Sequence, residues 1–263
     1  MMISSSVMRI ETGYLLAAIV LAAAGAVHGW CGRGEENKSR RAFWWMLGAF
    51  VAQSLFLGIR GELRGQCPLG DVGEISLFLA WSLTLFYLVT GSTYRLSLLG
   101  VFTAPLVVIL QLITLVPGSL APEVVQAENV DYWQEMHAPI SVLSYGALGL
   151  AAVAGVMFIL LNKRLKTQEL RSGIMMGMPS ISRLLKAMAR IATVGWIVLT
   201  IGVGTGLKLE GGAVNIHLMV AIIAWVLYAV LLAIYYVRGL PGRQLAWGLI
   251  VLFLASLLVF GKL

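Results

Sequence analysis

Ala138–Leu161 reads APISVLSYGALGLAAVAGVMFILL, 24 residues without a charged side chain. A helix needs about 20 mostly apolar residues to cross the hydrocarbon core of a bilayer, so this stretch is long enough to span one. Comparable runs lie on both sides of it. Hydropathy and helix breakers together predict spans at 13–31, 43–59, 76–93, 97–116, 138–161, 189–207, 216–236 and 244–261. Charged residues make up 12% of the 263-residue chain, and 59% are hydrophobic. A soluble globular domain carries about 25% charge, so an ordinary soluble enzyme is excluded. The runs are continuous rather than alternating, which excludes a β-barrel and leaves helices, the other structure that satisfies its own backbone in lipid. The expected fold is therefore all-α: one polytopic membrane domain over 1–263, with about eight transmembrane helices embedded in lipid.

The net charge of +7 is not the mark of a nucleic-acid partner, because the basic residues fall in short clusters between apolar runs rather than along one soluble face. Their distribution predicts orientation. Alternate links hold Arg33, Lys38, Arg40, Arg41, Arg95, Lys163, Arg164, Lys166, Arg171, Arg183, Lys186, Arg190, Arg238 and Arg243. The other links and the termini hold only Arg9, Arg60, Arg64, Lys208 and Lys262. By the positive-inside rule both termini face away from the cytoplasm. The first apolar run lacks a cleavage pattern followed by a soluble domain and reads as a retained helix. Cys31 and Cys67 fall at opposite ends of the first helical hairpin, too far apart for a disulfide.

Two links carry their own signals. The loop 117–137 contains Glu123, Glu128, Asp131 and Glu135, no Lys or Arg, and Pro117, Pro122, Tyr132 and Trp133. It reads either as a cover over an outward-facing site or as a solvated loop with an aromatic anchor. Residues 180–190 alternate apolar and basic positions at helical spacing, as an amphipathic helix at the cytoplasmic surface does, or as the lead into the sixth span.

Chemistry-bearing residues are few. His28 lies near the cytoplasmic end of the first span, whereas His137 opens the fifth and His217 the seventh, which puts the latter two at the outer face. Each of that pair reads as an interfacial polar residue or as a metal ligand; two imidazoles at one depth suit the two axial positions of a haem iron. Acidic residues are nearly absent from the spans, with Asp71 and Glu74 at the outer edge of the third, which argues against an ion-coupled transporter. No phosphate loop, paired-histidine metalloprotease helix or nucleophile elbow is present, so no catalytic residue is assigned. Gly195, Gly202, Gly204 and Gly206, with the small residues from Ser144 to Gly155, read as close helix packing. Trp81 and Trp225 fall inside spans, either as bundle filler or as walls for a planar ligand.

The segment Cys67-Pro-Leu-Gly-Asp-Val-Gly-Glu-Ile-Ser-Leu-Phe-Leu-Ala-Trp81 resembles the cytochrome c assembly family, the CcsA/CcmC/HemX group of haem-handling membrane proteins. Pro68, Leu69, Glu74 and Trp81 fit its Pro-Leu, Glu and Trp spacing. Met136-His-Ala-Pro-Ile-Ser-Val-Leu-Ser-Tyr145-Gly is similar to the family segment whose histidine is an external haem ligand, and Ile223-Ala-Trp225-Val-Leu-Tyr228 to its C-terminal hairpin. The resemblance runs from about residue 60 to 263. It implies a haem-binding site drawn from Pro68, Glu74, Trp81, His137, Tyr145 and Trp225, in a multi-pass protein of the bacterial inner membrane. It also implies a second cytochrome c maturation membrane protein as partner, with covalent haem attachment performed there. The chain departs from the haem-exporting pattern: Glu210-Gly-Gly-Ala-Val-Asn-Ile-His217 replaces a tryptophan-rich motif, and His217 is inferred to stand in for a second external histidine as a haem-iron ligand. The short form, about eight spans without the tryptophan-rich motif, resembles the HemX-like and YpjD-like branch. That opens an alternative expectation, a regulatory or scaffolding protein acting on haem biosynthesis through its basic loop Lys163–Arg190 without binding haem.

Overall fold

A computed structural model of the chain describes residues 2–31, 36–94, 99–121, 132–166, 181–209 and 216–257. These residues form eight helices: α1 (Met2–Cys31), α2 (Glu36–Arg64), α3 (Val72–Tyr94), α4 (Leu99–Ile113), α5 (Tyr132–Lys166), α6 (Ile181–Leu209), α7 (Ile216–Arg238) and α8 (Gly242–Ser256). No strand occurs among the described residues. Six helices contain an apolar stretch long enough to cross a membrane; α4 and α8 are apolar but 15 residues long. At 1.5 Å per residue those two reach about 22 Å, short of the roughly 30 Å hydrocarbon core. The molecule is a polytopic membrane helix bundle.

Six of the expected spans lie wholly inside a helix. The fourth and eighth, 97–116 and 244–261, overrun the described extents of α4 and α8. The long helices in turn continue past the apolar runs, because polar residues do not stop a helix when a bilayer ends. What stops α2 is Gly65, at φ +67°, whose N–H bonds the Gly61 carbonyl at 2.9 Å and turns the chain back toward α3.

Consecutive helices run antiparallel, as their contacts attest: Glu11 with Arg60, Ser54 with Trp81, Tyr87 with Gly100, His137 with Gly202, and Thr200 with Trp225. One end of the bundle therefore holds the loop 65–71, residues 114–121 and the first turns of α5 and α7; it is called here the Cys67 end. Cys31 closes α1 at the opposite end, and both cysteines are free.

At the centre is α5, which packs on α3, α4, α6 and α8. Of its most apolar stretch 78% is buried, against 22% in α7, which faces lipid. Its small residues make this possible. A Cβ on Gly146 would come within 2.8 Å of the Ser82 backbone in α3, one on Gly149 within 2.9 Å of Phe253, and one on Gly155 within 3.1 Å of the Ala246 carbonyl. From α6, Gly195 meets Leu148 in the same way, whereas Gly204 faces open space. The packing reading of these glycines thus holds for all but Gly204.

The amphipathic segment 180–190 is not a separate surface helix. Residue 180 lies outside the described residues, and from Ile181 the segment forms the opening turns of α6. Its apolar positions Leu184, Ala187 and Met188 are fully buried in the bundle, while Arg183, Lys186 and Arg190 are exposed. The same helical periodicity that would suit a bilayer surface here suits the bundle interior.

Candidate functional site

His137 lies in the second turn of α5 at the Cys67 end, half-buried against α6. Its Nδ1 is 2.8 Å from the carbonyl oxygen of Gly202. A carbonyl only accepts, so Nδ1 carries the proton and donates it, which leaves Nε2 as the lone-pair nitrogen. The ring rests on a floor that only glycine supplies: a Cβ on Gly206 would lie 2.8 Å from His137 Cε1 and 3.0 Å from Nδ1. A Cβ on Gly202 would meet Ser141 Oγ at 2.9 Å, one turn further along α5. Thr205 Oγ1 donates to the same Gly202 carbonyl at 2.8 Å. The glycines of α6 therefore do two jobs, close packing near Leu148 and a cradle for an imidazole near the helix end. The same Gly206 position meets Leu218 Cδ1 at 3.0 Å, so the start of α7 closes the cradle from the other side.

Beside this site lies a buried ionic cluster built on α1, α2, α3 and the loops that join them. Arg60 reaches Glu11 (Nη1–Oε1, 3.0 Å) and Glu74 (Nε–Oε1, 2.8 Å), and donates to the Ala121 carbonyl at 3.0 Å. Arg64 donates to the same Glu74 Oε1 at 2.8 Å and to Asp71 Oδ2. The second oxygen of Glu74 accepts the Gly70 N–H at 2.9 Å, and Asp71 Oδ2 accepts the Ala121 N–H at 3.1 Å. Glu74 is fully buried, and Glu11, Arg60 and Arg64 are nearly so. Three carboxylates against two guanidiniums leave one formal negative charge in excess when all are ionised. Arg60, Arg64, Asp71 and Glu74 each meet several partners, whereas Glu11 meets Arg60; burial of an unpaired charge at membrane depth is costly. It also folds residues 114–121 over the start of α3, where Gly73 N–H bonds the Ser119 carbonyl at 2.8 Å.

The cluster and the histidine are linked through the loop between α2 and α3. Leu69 packs with Val142 and Tyr145 of α5. Burial pushes the Cys67 thiol up to about 11, and the negative charges of Glu135, in the first turn of α5, and Glu74 push the same way.

The remaining sequence candidates distribute as follows. Glu74 is committed to Arg60, Arg64 and Gly70, and Pro68 is buried against Gly61. Tyr145 is buried between α3 and α5. Trp81 donates its indole N–H to Ser54 at 2.9 Å and stacks on Phe50 at 5.4 Å. Trp225 donates to Thr200 at 2.8 Å and stacks on Trp196 at 5.8 Å. The two tryptophans belong to helices, α3 and α7, that do not touch among the described residues. His217 is the second residue of α7; its side chain lies outside the described residues. His28, at the Cys31 end, has Nδ1 3.0 Å from the Ala24 carbonyl of its own helix and its ring near Trp45 of α2. Residues 122–131, the middle of the expected cover loop, lie outside the described residues. No group of three or more His, Cys, Asp or Glu fit to hold a metal ion occurs among the described residues.

Sequence reasoning missed the cluster by reading Arg60 and Arg64 as loop charges and Glu11 as a residue ahead of the first span. The available signal was the spacing of Arg60 and Arg64, one helical turn apart, followed at once by Asp71 and Glu74.

Comparison with known proteins bears on the same region. The family model described as Cytochrome C assembly protein matches residues 69–261, within the 60–263 over which the resemblance was expected. The chain is 30% identical over 118 residues to the cytochrome c biogenesis protein CcsA of Nostoc punctiforme, covering 44% of this chain and 33% of that one. It is 26% identical over 205 residues to the protein of that name from Chlamydomonas reinhardtii (72% and 56%), and 30% identical over 145 residues to that from Chlorella vulgaris (52% and 45%). The chain thus matches between a third and just over half of the length of these relatives.

Proposed function

The chain belongs to the cytochrome c assembly protein family, and from that premise we propose that it binds or translocates haem for delivery to a partner membrane protein that attaches it to cytochrome c. The observation that carries the reading is the bond from His137 Nδ1–H to the Gly202 carbonyl. A histidine that ligates a metal through one nitrogen is usually oriented by a hydrogen bond from the other, which fixes the tautomer and raises the basicity of the ligating atom. His137 has this arrangement, with Nε2 as the ligating atom and Gly206 leaving room for the ring.

His217 is our second candidate to hold the haem iron. Its neighbour Leu218 meets the same Gly206 position as His137, which favours a common site at the start of α5 and α7. His137 and His217 would together hold the haem iron by their imidazole nitrogens. Trp225, on the α6–α7 side, and Trp81, on the α3 side, remain our candidates for lining the haem's path, with Tyr145 in the wall between. Pro68 and Glu74 act at one remove, by holding the loop 65–71 against α5. The distribution of Lys and Arg puts the Cys67 end on the outer side of a bacterial inner membrane, with both termini there. Haem would be presented on that side, and this chain's part is ligation and hand-over rather than bond formation. The regulatory alternative rests on Lys163–Arg190, and no structural observation favours it.

The test is the visible spectrum of the detergent-purified protein, oxidised and reduced, with His137→Ala and His217→Ala alongside. A Soret band with sharp reduced bands, lost in both variants, supports bis-histidine ligation. Wild-type protein that takes up no haem even on reconstitution overturns the ligand assignment.

A further inference from the structure

Two glutamines are left over from both the cluster and the histidine site. Gln53 of α2 and Gln111 of α4 are fully buried, and neither the Oε1 nor the Nε2 of either has a hydrogen-bond partner among the described residues. An amide offers two donors and an acceptor, and a buried polar group left unpaired costs about 1–3 kcal/mol. Two entire amide groups unmet in a membrane bundle imply a ligand.

Helix register brings the two to one level. On α1, the contacts of Gly25 with Met46, Gly29 with Ala42 and Glu11 with Arg60 set residue 18 across from residue 53. The contact of Gly29 with Val101 sets residue 19 across from residue 111, since α4 also runs antiparallel to α1. Ala18, with the smallest side chain short of glycine, is fully buried at this level, and α2 and α4 touch. Upward, Gln53 lies two turns below Arg60 on the same face of α2, about 10 Å along the axis. Gln111 lies one turn below Thr114, whose hydroxyl donates to the Gly73 carbonyl at 3.4 Å beside Glu74. Downward, Ala22, Met46, Ala49, Leu83 and Leu99 are buried apolar core, and the buried hydroxyls of Thr84 and Thr103 are spent on the Ala80 and Leu99 carbonyls of their own helices.

We propose that Gln53 and Gln111 hold water, so that a hydrated pocket descends from the Glu11–Arg60–Glu74 cluster to the middle of the α1–α4 half and ends on that apolar layer. The chemistry selects the occupant. Each amide both donates and accepts, which matches a small neutral molecule that does the same. An anion would have to pass the carboxylates of Glu11, Asp71 and Glu74 with both guanidiniums already committed to them, and a bare cation would find only two amide oxygens at the floor. The pocket is independent of haem ligation by His137, which lies against α6.

Cysteine accessibility tests it. In the Cys31→Ser, Cys67→Ser background, Gln53→Cys and Gln111→Cys are treated with a small hydrophilic cationic methanethiosulfonate, beside Met46→Cys from the apolar floor. The pocket predicts modification at both glutamine positions faster than at Met46 by about tenfold or more, reflecting the thiolate that water permits. Equal, slow rates at all three overturn it. Should a variant fail to give a monodisperse protein, hydroxyl-radical footprinting of the wild-type chain decides. Phe56, buried one turn above Gln53, becomes hydroxylated if water lies beside it, while Phe158, buried in the other half, does not. No hydroxylation of Phe56 above Phe158 rejects the pocket.

Discussion

The two halves of the bundle are held together by different means. Of the fifteen buried polar or charged residues among those described, thirteen lie between Glu11 and Ser119, in α1–α4 and their loops; only Ser144 and Ser256 lie in α5–α8. The first half is joined by ion pairs converging on Glu74, and the second by glycines that let helices approach backbone to backbone. Lipid removes the hydrophobic drive for helix association, and these are two substitutes it leaves: polar bonds between helices, and dispersion contacts at short range. The difference has a functional side. The close-packed half offers a ring-sized cradle at Gly206 that needs no charge, and the ionic half fixes the loop 65–71 that abuts it.

The sharpest way to break this contrast is Glu74→Ala, which leaves Arg60 and Arg64 buried without their shared carboxylate. Removing one partner of a buried pair costs about 3–5 kcal/mol, so the thermal midpoint in detergent should fall by about 10 °C or more. A loss no greater than that of the glycine variant below would mean that the ion pairs do not hold the first half. For the glycine packing of α5, here where it meets α3 across the two halves, the test is Gly146→Ala, whose Cβ would press on the Ser82 backbone, which cannot rotate away. Overpacking of this kind costs about 1–3 kcal/mol. Gly204→Ala, with nothing within 4 Å, is the control: stability should hold or rise by up to about 1 kcal/mol, from helix propensity alone.

The same contrast explains what could be read from the chain. Hydropathy located every helix because a span is a local property of some twenty residues. It failed at Arg60 and Arg64, since a hydropathy scale ends a span at a charge, and whether that charge is neutralised depends on Glu11, 49 positions away. Gln53 and Gln111 were passed over for the same reason: a lone amide inside an apolar run has no local signature. His137 was legible through its motif, but the Gly202 carbonyl that orients it is 65 residues distant. In residues 181–190 the periodicity was right and its target was wrong, because helical spacing reports that one face is apolar and not whether lipid or protein covers it.

At the junction with α7, Gly206→Ala separates the cradle from the packing. Its Cβ would meet His137 Cε1 at 2.8 Å and Leu218 Cδ1 at 3.0 Å, both side-chain atoms that can move. Stability should therefore drop less than for Gly146→Ala. The displaced ring loses its bond to Gly202, and on the haem-binding reading affinity in a Soret titration should fall about 10- to 100-fold. Unchanged affinity would show that the Gly202 bond does not orient a ligand.

The smallest effect tests whether the halves communicate at all. Cys67, in the loop of the ionic half, has its thiol raised to about 11, first by burial and then by Glu135 of α5 and by Glu74. Only the thiolate attacks a maleimide or iodoacetamide, so labelling at Cys67 should be slow at neutral pH and rise about tenfold per unit between pH 8 and 10. Cys31, exposed at the other end, supplies the internal comparison. Glu135→Gln removes a negative charge that opposes ionisation, so the Cys67 pKa should fall and its labelling at pH 8 should quicken by about two- to fivefold, with no change in thermal midpoint. If Glu135→Gln leaves the rate untouched, the loop and the first turn of α5 are electrostatically separate, and the ionic half supports the histidine site by packing through Leu69 alone.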